Sequence, residues 1–160
     1  MSSTAIPAHG NLLHFKDLEG FAEVRDAGLR YDDDRGRRYM DIFGEVTGQI
    51  NITYCYPGVT TAWHAHRRQY DEWFVVKGAL KVGLAVPDGR GGYRVRFLSL
   101  SEHDGKVLRI RPGVLHGWRN HTNEIAILMY HVSEKYNPAD PDEERYTIEE
   151  VGADWSTPVK

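Results

Sequence analysis

The feature that most restricts the fold of this chain is the spacing of its turn signals. Pro57-Gly58, Lys77-Gly78, Asp88-Gly89-Arg90-Gly91-Gly92 and Pro112-Gly113 cut the chain into short segments, as Gly and Pro do where the backbone must turn. Between these points the apolar residues recur with period two. Ile50-Asn51-Ile52-Thr53-Tyr54-Cys55-Tyr56 alternates as a half-buried strand does, Leu80, Val82 and Leu84 share one face, and Tyr93 to Leu98 alternates again. Val107 to Ile110 reads as a short strand leading into Pro112-Gly113. Ile125 to Val132 is nearly all apolar, the pattern of a strand covered on both sides. Helical periodicity is almost absent. The spacing predicts an all-β fold, either a sandwich or a jelly-roll barrel.

Other stretches are less regular. Residues 1–10 are small and polar and are expected to form a loose arm ahead of one domain over residues 11–160, a length sufficient for a core of its own. Phe15 to Leu29 supports neither a long helix nor a clean strand. Tyr31 to Arg38 is a charge-dense turn, open to reading as a solvated loop tip or as a ligand contact. Residues 137–144 are polar, and Arg145 to Val151 is expected to form one short element.

Composition narrows the function. The formal net charge is −3, with no basic stripe of the kind nucleic acid requires. No apolar run approaches the ~20 residues of a membrane helix. Cys55 is the single cysteine, which excludes an internal disulfide and a cysteine-based zinc cluster. The first residues lack a basic start followed by an apolar core, so no signal peptide is expected and a reducing, cytoplasmic setting is the default.

Against this frame the segment Gly58 to Gly78 carries the chemistry. His64 and His66 are two apart in a strand-like stretch, so both imidazoles face the same way. Asp71 follows in a strongly apolar strand, His116 follows Pro112-Gly113, and Tyr130 lies in the apolar run. Strand alternation and turns aim all five inward. Three imidazoles and a carboxylate are a ligand set that a divalent first-row metal accepts.

On its motifs the segment resembles the cupin superfamily: Gly58, then His64-Ala65-His66, then an acid at Asp71, then Gly78, with Gly105, Gly113, His116 and Asn120 echoing the second motif. The resemblance implies a cupin jelly-roll barrel, the double-stranded β-helix. From Asp34 to Trp155 the chain is also similar to the dTDP-4-dehydrorhamnose 3,5-epimerase group of cupins. The residues that carry this are Arg35-Gly36, Asn51 ahead of His64, the run Pro112 to Trp118, Tyr130, Tyr136-Asn137-Pro138 and Asp154-Trp155.

That group converts 4-keto-6-deoxy nucleotide sugars, usually without a metal, and forms homodimers. The resemblance implies His64 as the base that takes a proton beside the ketone and Tyr130 as the acid that returns one. Arg35, Asn51, His66, His116 and Tyr136 would bind substrate, with Arg35 on the diphosphate across a dimer interface. The apolar strand surface at Tyr54, Tyr56 and Phe74 fits such a dimer.

The chain departs from the group in four places, one of them the Asp beyond the tail that partners the group's base and that this sequence does not reach. Thr61-Ala62-Trp63 replaces an Arg-Gly-Leu, Asp71 or Glu72 stands where a Lys is usual, and His66 stands where Gln is usual. The last change, together with Asp71, builds a metal site. The sugar-nucleotide 3,4-ketoisomerases also carry a His-Ala-His segment. The alternatives are therefore a metal-dependent oxygenase or small-molecule isomerase with His64, His66, Asp71 and His116 as ligands, or a non-catalytic sugar-binding cupin.

Overall fold

The structure is a computed structural model that describes Phe15 and residues 18–156. The arm expected over residues 1–10 lies outside the described residues. Among the described residues, twelve strands and one helical turn run in the order β1 (Ala22–Asp26), β2 (Leu29–Asp33), β3 (Gly36–Met40), β4 (Gln49–Cys55), β5 (Thr60–Ala65), β6 (Asp71–Lys77), β7 (Ala79–Pro87), β8 (Tyr93–Ser101), β9 (Lys106–Ile110), β10 (Leu115–Arg119), β11 (Ala126–Val132), β12 (Glu144–Arg145) and the helical turn Ile148–Val151.

Two five-stranded sheets face each other. Sheet one has the order β1-β9-β6-β11-β4 and sheet two the order β12-β5-β10-β7-β8, with β2 and β3 forming a separate hairpin. All pairings are antiparallel. Consecutive strands often sit in opposite sheets, which is the jelly-roll arrangement. Gly78, at φ 81°, is the corner where the chain leaves β6 in sheet one for β7 in sheet two.

The alternation predicted from the sequence decides what each face meets. Leu80, Val82 and Leu84 of β7 are fully buried against Leu98, Leu100, Leu108, Ile110, Val75 and Leu128. This apolar cluster fills one end of the barrel. Towards the other end the inward positions become polar: Asp71 precedes Trp73 and Val75 on β6, and Tyr130 and Val132 follow Leu128 on β11. The core therefore plugs one end and leaves the other open.

Each sheet is also covered on its outer side. On sheet two, Trp155 from the tail packs on Trp63 of β5 at 5.0 Å between ring centroids and on Phe97 of β8 at 4.9 Å. Gly83 lies beneath these indoles, and a Cβ there would come within 2.6 Å of both. On sheet one, Ala27, Phe43, Phe74 and Val107 form a smaller core beneath the segment that carries β2 and β3. Phe74 is therefore buried rather than part of the outer apolar surface expected of it, whereas Tyr54 and Tyr56 are exposed.

A buried ion cluster anchors that cover. The Glu72 carboxylate is wholly buried and accepts from Arg25 at 2.5 Å, Arg109 at 3.2 Å and His131 Nδ1 at 2.8 Å. The other ring nitrogen of His131 accepts the Thr47 N–H, so the proton resides on Nδ1. Arg25 extends the cluster to the carbonyls of Ile42 and Phe43. This explains why residues 15–29 hide a strand from sequence inspection. β1 is an edge strand, and one of its partly buried positions is a charged Arg25 tied to Glu72 rather than an apolar residue. The charge-dense stretch at Tyr31 to Arg38 is a hairpin whose faces are both largely exposed, so no alternation marks it.

Removing one partner of a buried ion pair costs ~3–5 kcal/mol because it strands the others. Glu72→Ala should destabilise by ~3 kcal/mol, the low end of that range, since both arginines keep more than a third of their side chains in solvent. Urea unfolding measures this, and a midpoint equal to wild type would show that Glu72 does not hold the cover.

Candidate functional site

The open end of the barrel is a cavity of about 1060 Å³. Sheet two contributes the histidines. His64 of β5 and His116 of β10 are register partners on neighbouring strands, with ring centroids 4.3 Å apart. His66 follows β5 directly, 5.6 Å from His64 and 5.2 Å from His116. One nitrogen from each of the three rings lies within 4.8 Å of the other two. Sheet one contributes Asp71, Tyr130 and Asn51, the last two paired across β11 and β4. Asn51, His64, His66, Asp71, Tyr130 and Tyr136 all line the cavity. His116 lies behind them, 1% exposed. Arg35 does not reach the cavity of its own chain. It sits at the tip of the β2–β3 hairpin, 74% exposed, and pairs with Asp33.

Two of the rings are held by their outer nitrogens. His66 Nδ1 donates to the Asp142 carbonyl at 2.5 Å, and His116 Nδ1 donates to the Val114 carbonyl at 2.9 Å. Carbonyls only accept, so in both rings Nδ1 carries a proton and Nε2 is the atom presented to the cavity. Both Nε2 atoms point at Asp71, at 3.7 Å from His66 and 3.5 Å from His116. His116 Nε2 is buried without a hydrogen-bond partner. Histidines fixed by one nitrogen so that the other is presented are the usual arrangement at metal centres. The three histidines therefore form a donor set that fits a divalent transition metal, with the Asp71 carboxylate beside two of them.

Asp71 is itself held by neighbours of its own strand face. Gln69 Nε2 donates to Oδ1 at 2.8 Å and Trp73 Nε1 to Oδ2 at 3.2 Å. Burial works to raise the Asp71 carboxyl, but His116, His66 and Gln69 outweigh it and keep the group ionised well below the usual carboxylate range. Trp73 also lies edge-on to His116 at 5.5 Å. Gln69 and Trp73 were not singled out from sequence, although period two places both on the face of Asp71. Asp142 had no local signal at all, since its contacts are long-range.

His64 is different. Among the described residues no group hydrogen-bonds its ring. Burial, then His116 and His66, push its pKa down to about 2, with Asp71 opposing. Its imidazole is neutral at pH 7, with a lone pair available.

Comparison with known proteins agrees with the fold. The barrel has the fold of dTDP-sugar epimerases and isomerases of known structure. A 3'-monoepimerase from Streptomyces bikiniensis, solved with dTDP-quinovose, aligns with a TM-score of 0.69 at 18% identity, over 87% of this chain and 77% of its own. A dTDP sugar isomerase from Desulfovibrio desulfuricans aligns at 0.66 and 20% identity, over 84% and 88%.

By sequence, residues 31–144 match the polysaccharide biosynthesis C-terminal domain. A spore coat polysaccharide biosynthesis protein of Bacillus subtilis is 31% identical over 81% of this chain and 91% of its own. A probable low-salt glycan biosynthesis epimerase of Haloferax volcanii is 28% identical over 86% and 94%. The chain belongs to the polysaccharide biosynthesis C-terminal domain family. Among the described residues no helix is long and apolar enough to cross a membrane.

The depressed pKa of His64 has a consequence for stability. The folded value of about 2 lies below the ordinary 6.5, so the unfolded chain binds the proton first as pH falls. The contribution is fully present above pH ~6.5 and is lost towards acid, at up to ~1.4 kcal/mol per pH unit. In metal-free protein, lowering the pH from 7 to 5 should cost wild type ~1–2 kcal/mol more than His64→Gln. Parallel stability curves by denaturant unfolding would show that His64 titrates normally in the fold.

Proposed function

We propose that this chain is an isomerase acting on a nucleotide-activated 4-keto-6-deoxy sugar, dTDP-linked by preference, by proton transfer beside the ketone. The observation that carries the reading is that His64 and Tyr130 stand on opposite sheets and line one cavity. Epimerisation needs a base on one face of the carbon and an acid on the other. His64, neutral and unbonded, takes the proton. The imidazolium it forms is poorly stabilised by its own surroundings, and the enolate developing beside it supplies the missing counter-charge. Tyr130 returns a proton from the other side. Asn51, His66 and Tyr136 contact the sugar, and His116 backs the histidine pair. Arg68 and Lys135 line the cavity and provide cations for the diphosphate.

A second reading rests on the two Nε2 atoms turned towards Asp71. His64, His66, His116 and Asp71 would hold a divalent ion, which would supply Lewis-acid polarisation of the keto oxygen. In that case Tyr130 and Asn51 keep the task of orienting and protonating substrate.

We further propose that the chain works as a homodimer in a cytoplasmic setting. Ile50, Ile52 and Tyr54 expose half or more of their surface on the edge strand β4, next to Tyr56, and the β2–β3 hairpin exposes Leu29, Tyr31 and Met40. Pairing through these surfaces would bring Arg35 of one copy to the cavity of the other. Sedimentation should give twice the 18.3 kDa chain mass, and Tyr54→Glu should shift it towards monomer. A wild-type monomer at micromolar concentration would rule the dimer out.

Heavy water tests the chemistry. Chelator-treated wild type should wash deuterium into the carbon beside the ketone of a dTDP-4-keto-6-deoxy sugar, and His64→Ala should not. Tyr130→Phe should keep exchange and lose inversion by ~10²–10⁴-fold. Exchange that appears only with an added divalent metal, and disappears in His66→Ala, would transfer the assignment to the metal reading. No exchange under any condition would reject both.

A further inference from the structure

The segment from Ser133 to Arg145 crosses the rim of the cavity and is fastened at both ends. At its start, the Ser133 hydroxyl accepts the Tyr70 N–H at 2.9 Å, and the Ser133 N–H donates to the Tyr70 carbonyl at 3.1 Å. At its end, β12 pairs with β5, placing Glu144 opposite Ala65 and Arg145 opposite His64. Between these ends one residue makes an unusual set of contacts. The Asp142 carboxylate accepts three consecutive backbone N–H groups: Arg67 at 2.8 Å, Arg68 at 2.9 Å and Gln69 at 2.9 Å. The carbonyl of the same residue accepts His66 Nδ1. Asp142 therefore grips the turn 66–69 along its whole length.

That turn carries two side chains of the site. His66 begins it and directs Nε2 at Asp71, and Gln69 ends it and donates to the same carboxylate. The His66 carbonyl is fixed separately by the Gly113 N–H at 2.6 Å, so the backbone on the other side of His66 is already held. What remains to be set is the orientation of the imidazole and the position of residues 67–69, and both depend on Asp142.

We infer that Asp142 is a positioning residue: through its carbonyl it orients the His66 ring by accepting Nδ1–H, and through its carboxylate it locks the turn that aims His66 and Gln69 at Asp71. The three N–H bonds call for an acceptor on both oxygens of the side chain, Arg67 at one and Arg68 and Gln69 at the other. Asparagine has nearly the same shape but presents one oxygen and one NH₂. It cannot accept on both sides, and its NH₂ meets an N–H that needs an acceptor.

This inference rests on the site reading above, but its test needs no turnover. In metal-free protein labelled with ¹⁵N-histidine, wild-type His66 should show an Nδ1 proton protected from solvent exchange by its bond to the Asp142 carbonyl. Asp142→Ala keeps the residue-142 carbonyl but removes the clamp that seats it, so the His66 Nδ1 proton should exchange with solvent faster than in wild type, while His116, held by Val114, stays unchanged as an internal control. Amide exchange at Arg67, Arg68 and Gln69 should quicken ~10–100-fold, the scale of losing charge-assisted hydrogen bonds in a local opening. Core amides such as those of Leu80 and Leu84 should not change.

If Asp142→Ala does not fold, Asp142→Asn carries the same test through the three amides. A folded variant with wild-type protection of the His66 Nδ1 proton and wild-type exchange at 67–69 would overturn the assignment. Failure of the deuterium wash-in by wild type would instead sink the isomerase reading and leave these readouts standing.

Discussion

Asp71 and Glu72 are consecutive carboxylates on one strand, and both are taken out of water. A strand sends neighbours to opposite faces, so one enters the barrel and the other goes to its outer side. A buried carboxylate is tolerated only where donors and positive charge replace its hydration. Much of the molecule's polar organisation follows from meeting that demand twice. Outside, Glu72 gathers Arg25, Arg109 and His131 and thereby fixes the cover over sheet one. Inside, Asp71 is met by Gln69 and Trp73 and faces two imidazole nitrogens.

The two carboxylates differ in how completely they are answered. Glu72 accepts close hydrogen bonds from three side chains, which makes it a structural anchor. Asp71 has two close donors and two histidine nitrogens held at 3.5–3.7 Å, beyond a good hydrogen bond. The nitrogens are kept apart from it because both rings are pinned from behind by carbonyls. A site with spare acceptors, a neutral base and a phenol across the cavity has unspent binding capacity, and this is where the functional proposal lives.

Much of this was legible in the residues themselves. Period two was enough to put Leu80, Val82 and Leu84 in the core, to give His64 and His66 a common direction, and to expect Asp71 inside. The resemblance in motif carried the barrel topology, which alternation alone does not choose. What escaped was long-range. β1 was hidden because Arg25 occupies a partly buried position, justified by a Glu72 that is distant in sequence. Asp142 looked like one more acid in a polar stretch, because nothing near it in sequence reveals that three amides on another segment await it. Arg35 remains outside its own cavity, and only a second copy of the chain would give it the phosphate-binding role that its motif suggests.

The rim segment that ends in β12 is tied at Ser133, at Asp142 and through the tail that buries Trp155. A loop free at its tip must surrender conformational entropy when it closes on a ligand, and that loss is subtracted from affinity. Here the loss has already been absorbed by folding. A ligand entering the barrel meets a wall that is largely set before it arrives, so discrimination falls to shape and charge at the mouth rather than to a closing movement.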